Sequence, residues 1–369
     1  MALLVNKTEL LLKAAFQISK PNDGENFDNA YDYSIEDQRF AIADSTNKSF
    51  FSHLWAKSLV TGLVATAPFQ FLESEQDLVE WLEPLQNAWG KIIEWEQSPQ
   101  IASTQLEIGA FSSLLGMQLL DPEPVSLLPE TKPADSQMRW QAIAIGNNCL
   151  FQIRRDHLNF AFPLNNSEQF KTQPTLISSV ASKNTQIWRH FHQCQEICYE
   201  TDLFFLMTAS LAEWFLLEYE QGKKPWADLY HLESQEDFQM FITSLRNSGK
   251  IRSTDIALLT FQVGKEEISI SLDNYRAENI DSNLVTTLLD NTGTDQNATS
   301  SATDSQKGTT FLVKESSKGK DSETTKQHKS VKQGVKPPQF SSLDQPSVLK
   351  QIGKSIIGLL GKKEKEDEE

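Results

Sequence analysis

Cysteine is scarce in this 369-residue chain, which holds three, at positions 149, 194 and 198. So few, and an odd number, exclude a disulfide framework and point to a reducing compartment such as the cytoplasm. Long apolar runs are also missing. No stretch approaches the roughly 18 apolar residues that a transmembrane helix needs. The opening segment MALLVNKTELLLK is interrupted by Asn6, Lys7 and Glu9 and has no small-residue cleavage site, so no signal peptide is expected. Positive charge is short: 34 Lys and Arg stand against 50 Asp and Glu, a net charge of −16, which argues against nucleic acid as a partner. The phosphate-cradling GxxxxGK[ST] and GxGxxG patterns are absent, as is a GxSxG elbow.

What is present divides into unlike halves. Residues 1–264 carry all eight tryptophans and alternate strand-like with helix-like runs. WQAIAIGNNCLFQIRRDHLNFAFP (140–163) reads as three strands separated by turns at Gly146-Asn147 and Arg155-Asp156. DLFFLMTAS (202–210) reads as a buried strand followed by a packed helix with Leu211, Trp214, Phe215 and Leu217. Residues 237–252 read as a helix closing at Gly249, and 255–264 as a final strand. LVEWLEPLQNAWGKIIEW (78–95) is a further helix, with Pro84 marking a break or kink. Beyond, 265–345 is polar and of low complexity, too poor in large apolar residues to offset its ordering entropy, and is expected to be a mostly disordered linker. In the closing segment, 346–369, Leu349, Ile352, Ile356 and Leu360 fall on one helical stripe, a candidate partner-binding helix ahead of a charged end. Gly353, Gly358 and Gly361 weaken that helix, so a frayed tail is the competing reading.

Two places invite chemistry. In FAIADSTNKSFFSHLWAKSLV (40–60) a short apolar strand stops at Asp44, where a polar loop begins. A carboxylate there suits a metal ligand or catalytic acid, and equally a plain turn. In WRHFHQCQEIC, His190, His192 and Cys194 alternate at period two and would share a face on a strand, with Cys198 as a fourth zinc ligand. The spacing matches no common zinc pattern, and an isolated cysteine commonly fills a core position.

The order of the segments carries more than either place. FAIADS…FFSHLWAKSLV, IGAFSSLLGMQLL, MRWQAIAIGNNCLFQIRRDHLNFAFPL, DLFFLMTASLAEWFLL and FITSLRNSGKIRSTDIALLTF, taken in sequence from about Gly24 to Val263, resemble a divergent bacterial branch of the PPM family, the metal-dependent type 2C Ser/Thr protein phosphatases. The resemblance implies an α+β fold: a four-layer α-β-β-α sandwich of two antiparallel sheets flanked by helices. In active members, aspartates at strand ends hold two Mg²⁺ or Mn²⁺ ions that activate a bridging water for attack on phosphorus.

Carried over position by position, the resemblance implies a degraded site. Gly24 stands where the phosphate-binding Arg would be, Asp28 replaces a Glu, and Asn29 replaces the metal-bridging Asp. Asp44 keeps its acid. Asn147, Ala209 and Thr254 occupy three further ligand positions without a carboxylate. The first expectation is therefore a pseudophosphatase with no cofactor, serving as a regulatory or binding module for a Ser/Thr kinase or phosphoprotein. Asp44 would then be structural, bonding the backbone of residues 45–47. In a variant of that reading the tail helix tethers the domain to a partner groove or an anionic membrane, and net acidity favours the groove. The alternative is a weakly active phosphatase in which a one-residue register slip lets Asp28, Asp44 and Asp255 rebuild a Mg²⁺ or Mn²⁺ site.

Overall fold

The structure, a computed structural model, describes residues 9–21, 27–46, 51–96, 99–120 and 138–264. The expected linker 265–345, the segment 346–369 with Leu349, Ile352, Ile356 and Leu360, and Gly24 lie outside the described residues.

Strand formation follows period-two burial. In β11 (Ile256–Val263) all eight residues are buried. Ile256 and Leu258 point to one core, while Ala257, Leu259, Phe261 and Val263 point to another. A strand buried on both faces reads as a near-continuous apolar run, which is why the strand opens as IALL, with polar residues only at the buried Thr260 and Gln262. The same division holds in β10 (Leu203–Met207) and in β3 (Arg39–Ser45), where Phe40 and Ile42 face away from Ala41 and Ala43.

These strands build two antiparallel sheets. One has the order β1 (Leu10–Ile18), β11, β10, β6 (Cys149–Arg154), β7 (His157–Phe162). The other runs β2 (Asn29–Ser34), β3, β4 (Phe111–Leu120), β5 (Met138–Ile145), β9 (His192–Cys198), with the short β8 (Ile177–Ser178) also paired to β4. Their facing sides form the central core. There Phe40 of one sheet stacks on Phe261 of the other, ring centroids 3.8 Å apart. The turn expected at Gly146-Asn147 is the point where the chain crosses from one sheet to the other.

Helices cover both outer faces. On the first sheet lie α4 (Ala209–Glu220), α5 (Pro225–Tyr230) and α6 (Gln235–Asn247), with Trp214, Phe215, Trp226 and Phe238 buried beneath them. On the second lie α1 (Ser52–Thr66), α2 (Glu75–Glu96) and α3 (Pro99–Ile108). The four-layer α-β-β-α sandwich expected from the resemblance is the observed architecture. Two expectations shift in detail. Of the break or kink expected at Pro84, the break is absent, since α2 runs from Glu75 to Glu96, and β3 ends one residue past Asp44, at Ser45.

α1 sits close on its sheet because β4 offers a glycine. A Cβ at Gly116 would lie 2.2 Å from Leu63 Cδ1, so the leucine fills the place a side chain would take. Gly116→Ala is expected to lower unfolding stability by about 1–3 kcal/mol through overpacking. Urea unfolding checks this, and a second change, Leu63→Ala, should recover part of the loss if the collision is the cause.

Candidate functional site

The candidate corner is built where the β2–β3 hairpin meets the start of β11. Asn29 and Asp44 are register partners across β2 and β3, and Asp44 faces Ser113 on β4. The Ser113 hydroxyl accepts the Asp44 N–H at 3.2 Å and donates to the Asp44 carbonyl at 3.1 Å. Gly146 packs against that serine: with φ +104, its Cβ would lie 2.5 Å from Ser113 Cβ. Asp44 is thus fixed through its backbone. Among the described residues nothing hydrogen-bonds its half-buried carboxylate.

The expectation that this carboxylate ties down residues 45–47 is not met at 45 and 46. The Ser45 N–H donates to the Asp28 carbonyl at 3.1 Å and the Thr46 N–H to the Phe111 carbonyl at 3.0 Å. The Ser45 hydroxyl also donates to the Asp28 carbonyl. Asn47 is outside the described residues. Left without a donor, the Asp44 carboxyl has its pKa pushed up to about 7. Burial is the main cause, the negative charges of Asp255 and Asp28 add to it, and the Arg252 guanidinium opposes it.

Asp28 and Asp255 are occupied. The buried Asp255, one residue ahead of β11, accepts the Lys20 N–H on Oδ1 and the Asp28 N–H on Oδ2, both at 2.6 Å. Asp28 accepts the Ser52 hydroxyl on Oδ1 at 2.9 Å, and its Oδ2 pairs with the Lys20 ammonium at 3.0 Å. Lys20 therefore serves both acids, one through its backbone and one through its side chain.

The neutral positions are taken up with equal economy. The Asn29 carbonyl and side-chain oxygen both accept the Gln17 amide, the former at 2.8 Å. The Asn29 Nδ2 is buried and has no partner among the described residues. Asn147 lies half-buried in the crossover turn. Ala209 opens α4 directly after Thr208, whose hydroxyl accepts the Ala257 N–H at 3.1 Å and does not cap the helix. Thr254 shares a 2.7 Å hydroxyl–hydroxyl bond with Ser210, and its carbonyl accepts Arg246 Nη2 at 2.6 Å. The chain thus brings Asp28, Asp44 and Asp255 within electrostatic reach of one another. Among the described residues, however, no group of three or more His, Cys, Asp or Glu is arranged to hold a metal ion. That statement covers His190, His192 and Cys194 as well. His190 ends a 3₁₀ turn (Ile187–His190), which leaves His192, Cys194 and Cys198 on β9, with Cys198 buried in the core. Lys20, Ser52, Gln17 and Ser113, which carry so much of the corner, have no sequence signal beyond being polar.

No protein-family model matches the chain, and no curated protein does. Solved structures align with it. The serine/threonine phosphatase PstP/Ppp of Mycobacterium tuberculosis is 12% identical, over 70% of this chain and 100% of that one, with a TM-score of 0.45. The catalytic domain of PstP in complex with 2 manganese ions is 13% identical, over 70% and 100%, with a TM-score of 0.43. MsPP, a PPM Ser-Thr phosphatase from Mycobacterium smegmatis in complex with cacodylate, is 13% identical, over 70% and 99%, with a TM-score of 0.39. These likenesses are too distant to carry chemistry to this chain, whose corner is read from its own residues. Among the described residues no helix is long and apolar enough to cross a membrane.

Proposed function

We propose that the chain is a PPM-type phosphatase-like protein without phosphatase activity, acting in the cytoplasm as a binding or regulatory module in Ser/Thr phosphorylation signalling, beside a Ser/Thr kinase or a phosphoprotein. The observation that carries this is the use made of Asp255: both of its oxygens accept backbone N–H groups at 2.6 Å. A two-ion centre needs several carboxylates free to offset the dehydration of two dications. Here Asp28 is neutralised by an ammonium at 3.0 Å, and Asn29, Ala209 and Thr254 supply no charge. Asp44 alone is uncommitted, and one carboxylate does not hold a metal pair.

The test is turnover of an aryl phosphate and of phosphopeptides by the full chain in Mn²⁺. No turnover above the buffer rate is expected. Activity that disappears in Asp44→Ala would overturn the proposal. The alternative reading, a weak metal site formed by Asp28, Asp44 and Asp255, draws on their mutual repulsion, which a dication would relieve. Calorimetric titration with Mn²⁺ separates the two: the first expects no saturable heat, the second a single site lost in Asp44→Ala.

A further inference from the structure

A sheet edge presents unpaired N–H and C=O groups to any other strand, and proteins blunt such edges with bulges, prolines, charges or covering groups. Three of the four edges here are blunted. β1 has a register shift between Leu12 and Ala14, its Ala15 carbonyl accepts the Tyr31 hydroxyl at 3.1 Å, and the Gln17 N–H and carbonyl are both taken by the Gln235 side chain. In β2 the Asn29 carbonyl is taken by Gln17 and the Tyr31 carbonyl by Lys57. β7 is bulged against β6 and runs directly into Pro163.

The fourth edge, β9, is less protected: among the described residues it has no bulge and no proline, one charge, Glu196, and covering groups at the Ile197 carbonyl only. It pairs with β5 from His192 to Cys198 without a register shift, and HQCQEIC contains no proline, glycine, lysine or arginine. His192, Gln193, Gln195 and Glu196 are exposed. Its open groups can be identified. The Ile197 carbonyl accepts both Gln152 Nε2 at 3.1 Å and Arg154 Nη2 at 2.9 Å, which fills its two acceptor positions from outside the β5 pairing. Because backbone groups alternate in direction along a strand, Gln193 and Gln195 also turn theirs away from β5. Among the described residues those four groups have no partner.

We propose that β9 is a self-complementary edge that pairs antiparallel with β9 of a second copy of this chain, about a two-fold axis at Cys194. Three registers place a two-fold axis near the middle of the strand. One centred on Gln195 would call on the Ile197 carbonyl, which is already filled. One centred on Gln193 would call on Phe191, whose N–H donates to the Trp188 carbonyl at 3.2 Å. The register centred on Cys194 uses only the open groups: Gln193 meets Gln195 of the second copy twice over, for four backbone hydrogen bonds. The same register sets His192 opposite Glu196 of the second copy at both ends, a favourable cross-strand pair. The contact is small, and each copy carries a net charge of −16, so the association is weak and depends on concentration.

Sedimentation of the full chain in about 0.15 M salt is expected to show the mass rising from 41.7 kDa toward twice that value, between about 10 and 500 µM, the range of a weak interface. Gln193→Lys with Gln195→Lys sets like charges against each other at both facing positions and should weaken association at least about ten-fold. Gln193→Lys with Gln195→Glu faces opposite charges in this register alone and should restore it. Circular dichroism confirms that each variant is folded. A wild-type chain that stays monomeric throughout, dimerisation indifferent to the two lysines, or failure of the Lys/Glu combination to restore it, each overturns the proposal.

Discussion

Asp44→Asn is expected to stabilise the folded chain at pH 8, and by clearly less at pH 5. The sign follows from the direction of the shift. The folded carboxyl titrates near pH 7, above its ordinary value of 3.8, so the folded state binds the proton more tightly than the unfolded one. Below the unfolded pKa both states are protonated and no penalty exists. As the pH rises toward 7 the unfolded carboxyl ionises freely while the folded one resists, and stability is lost. Above 7 the full penalty is present. Each pH unit of displacement is worth about 1.4 kcal/mol, which sets a ceiling of about 4 kcal/mol. The carboxylate keeps some contact with water, so the expected gain is about 1–3 kcal/mol. Urea unfolding of wild type and variant in EDTA at pH 5 and pH 8 measures it. A variant no more stable than wild type at pH 8 would show that Asp44 finds a partner in solution.

The neighbouring acid should respond in the opposite way. Asp255→Ala leaves the Lys20 and Asp28 N–H groups without their acceptor, and each bond it removes is short and charge-assisted. The expected loss is about 2–4 kcal/mol at pH 7, partly offset because Asp44 is relieved of a like charge. Asp255→Asn keeps oxygen on one side only and should fall between. Amide exchange distinguishes this mechanism from general loosening, since Lys20 and Asp28 should lose protection ahead of the core strands. If both amides stay protected in Asp255→Ala, the clamp described above is not what holds them.

The two aspartates were legible in the sequence as acids near strand ends, but their different duties were not. The partners of Asp255 lie 227 and 235 residues away along the chain, a separation no local pattern registers. Strands buried on both faces were readable because LFFLM and IALLTF are continuous apolar runs. β1 is not legible as a strand, because Lys13 and Gln17 break its alternation, and neither is β2, NAYDYS, whose tyrosines and aspartate are only half buried. The crossover at Gly146 was readable as a turn, yet its close approach to Ser113 depends on β4, more than thirty residues earlier.

The place of β11 in its sheet also sets the timetable of assembly. Among the described residues β1 is an edge strand paired with β11 alone, and β11 is the last strand described. Side chains made earlier, Tyr31 and Gln235, reach its backbone, but among the described residues no earlier strand pairs with it. While the polypeptide is being made at about 5–20 residues per second, the segment around Phe16 waits on the order of tens of seconds for its neighbour to emerge. Contacts of such long range also slow folding of the finished chain. A ribosome-bound chain ending before Asp255 would therefore carry a loose N-terminal strand and no closed acidic corner. Both would form together, late, once residues 255–263 leave the exit tunnel.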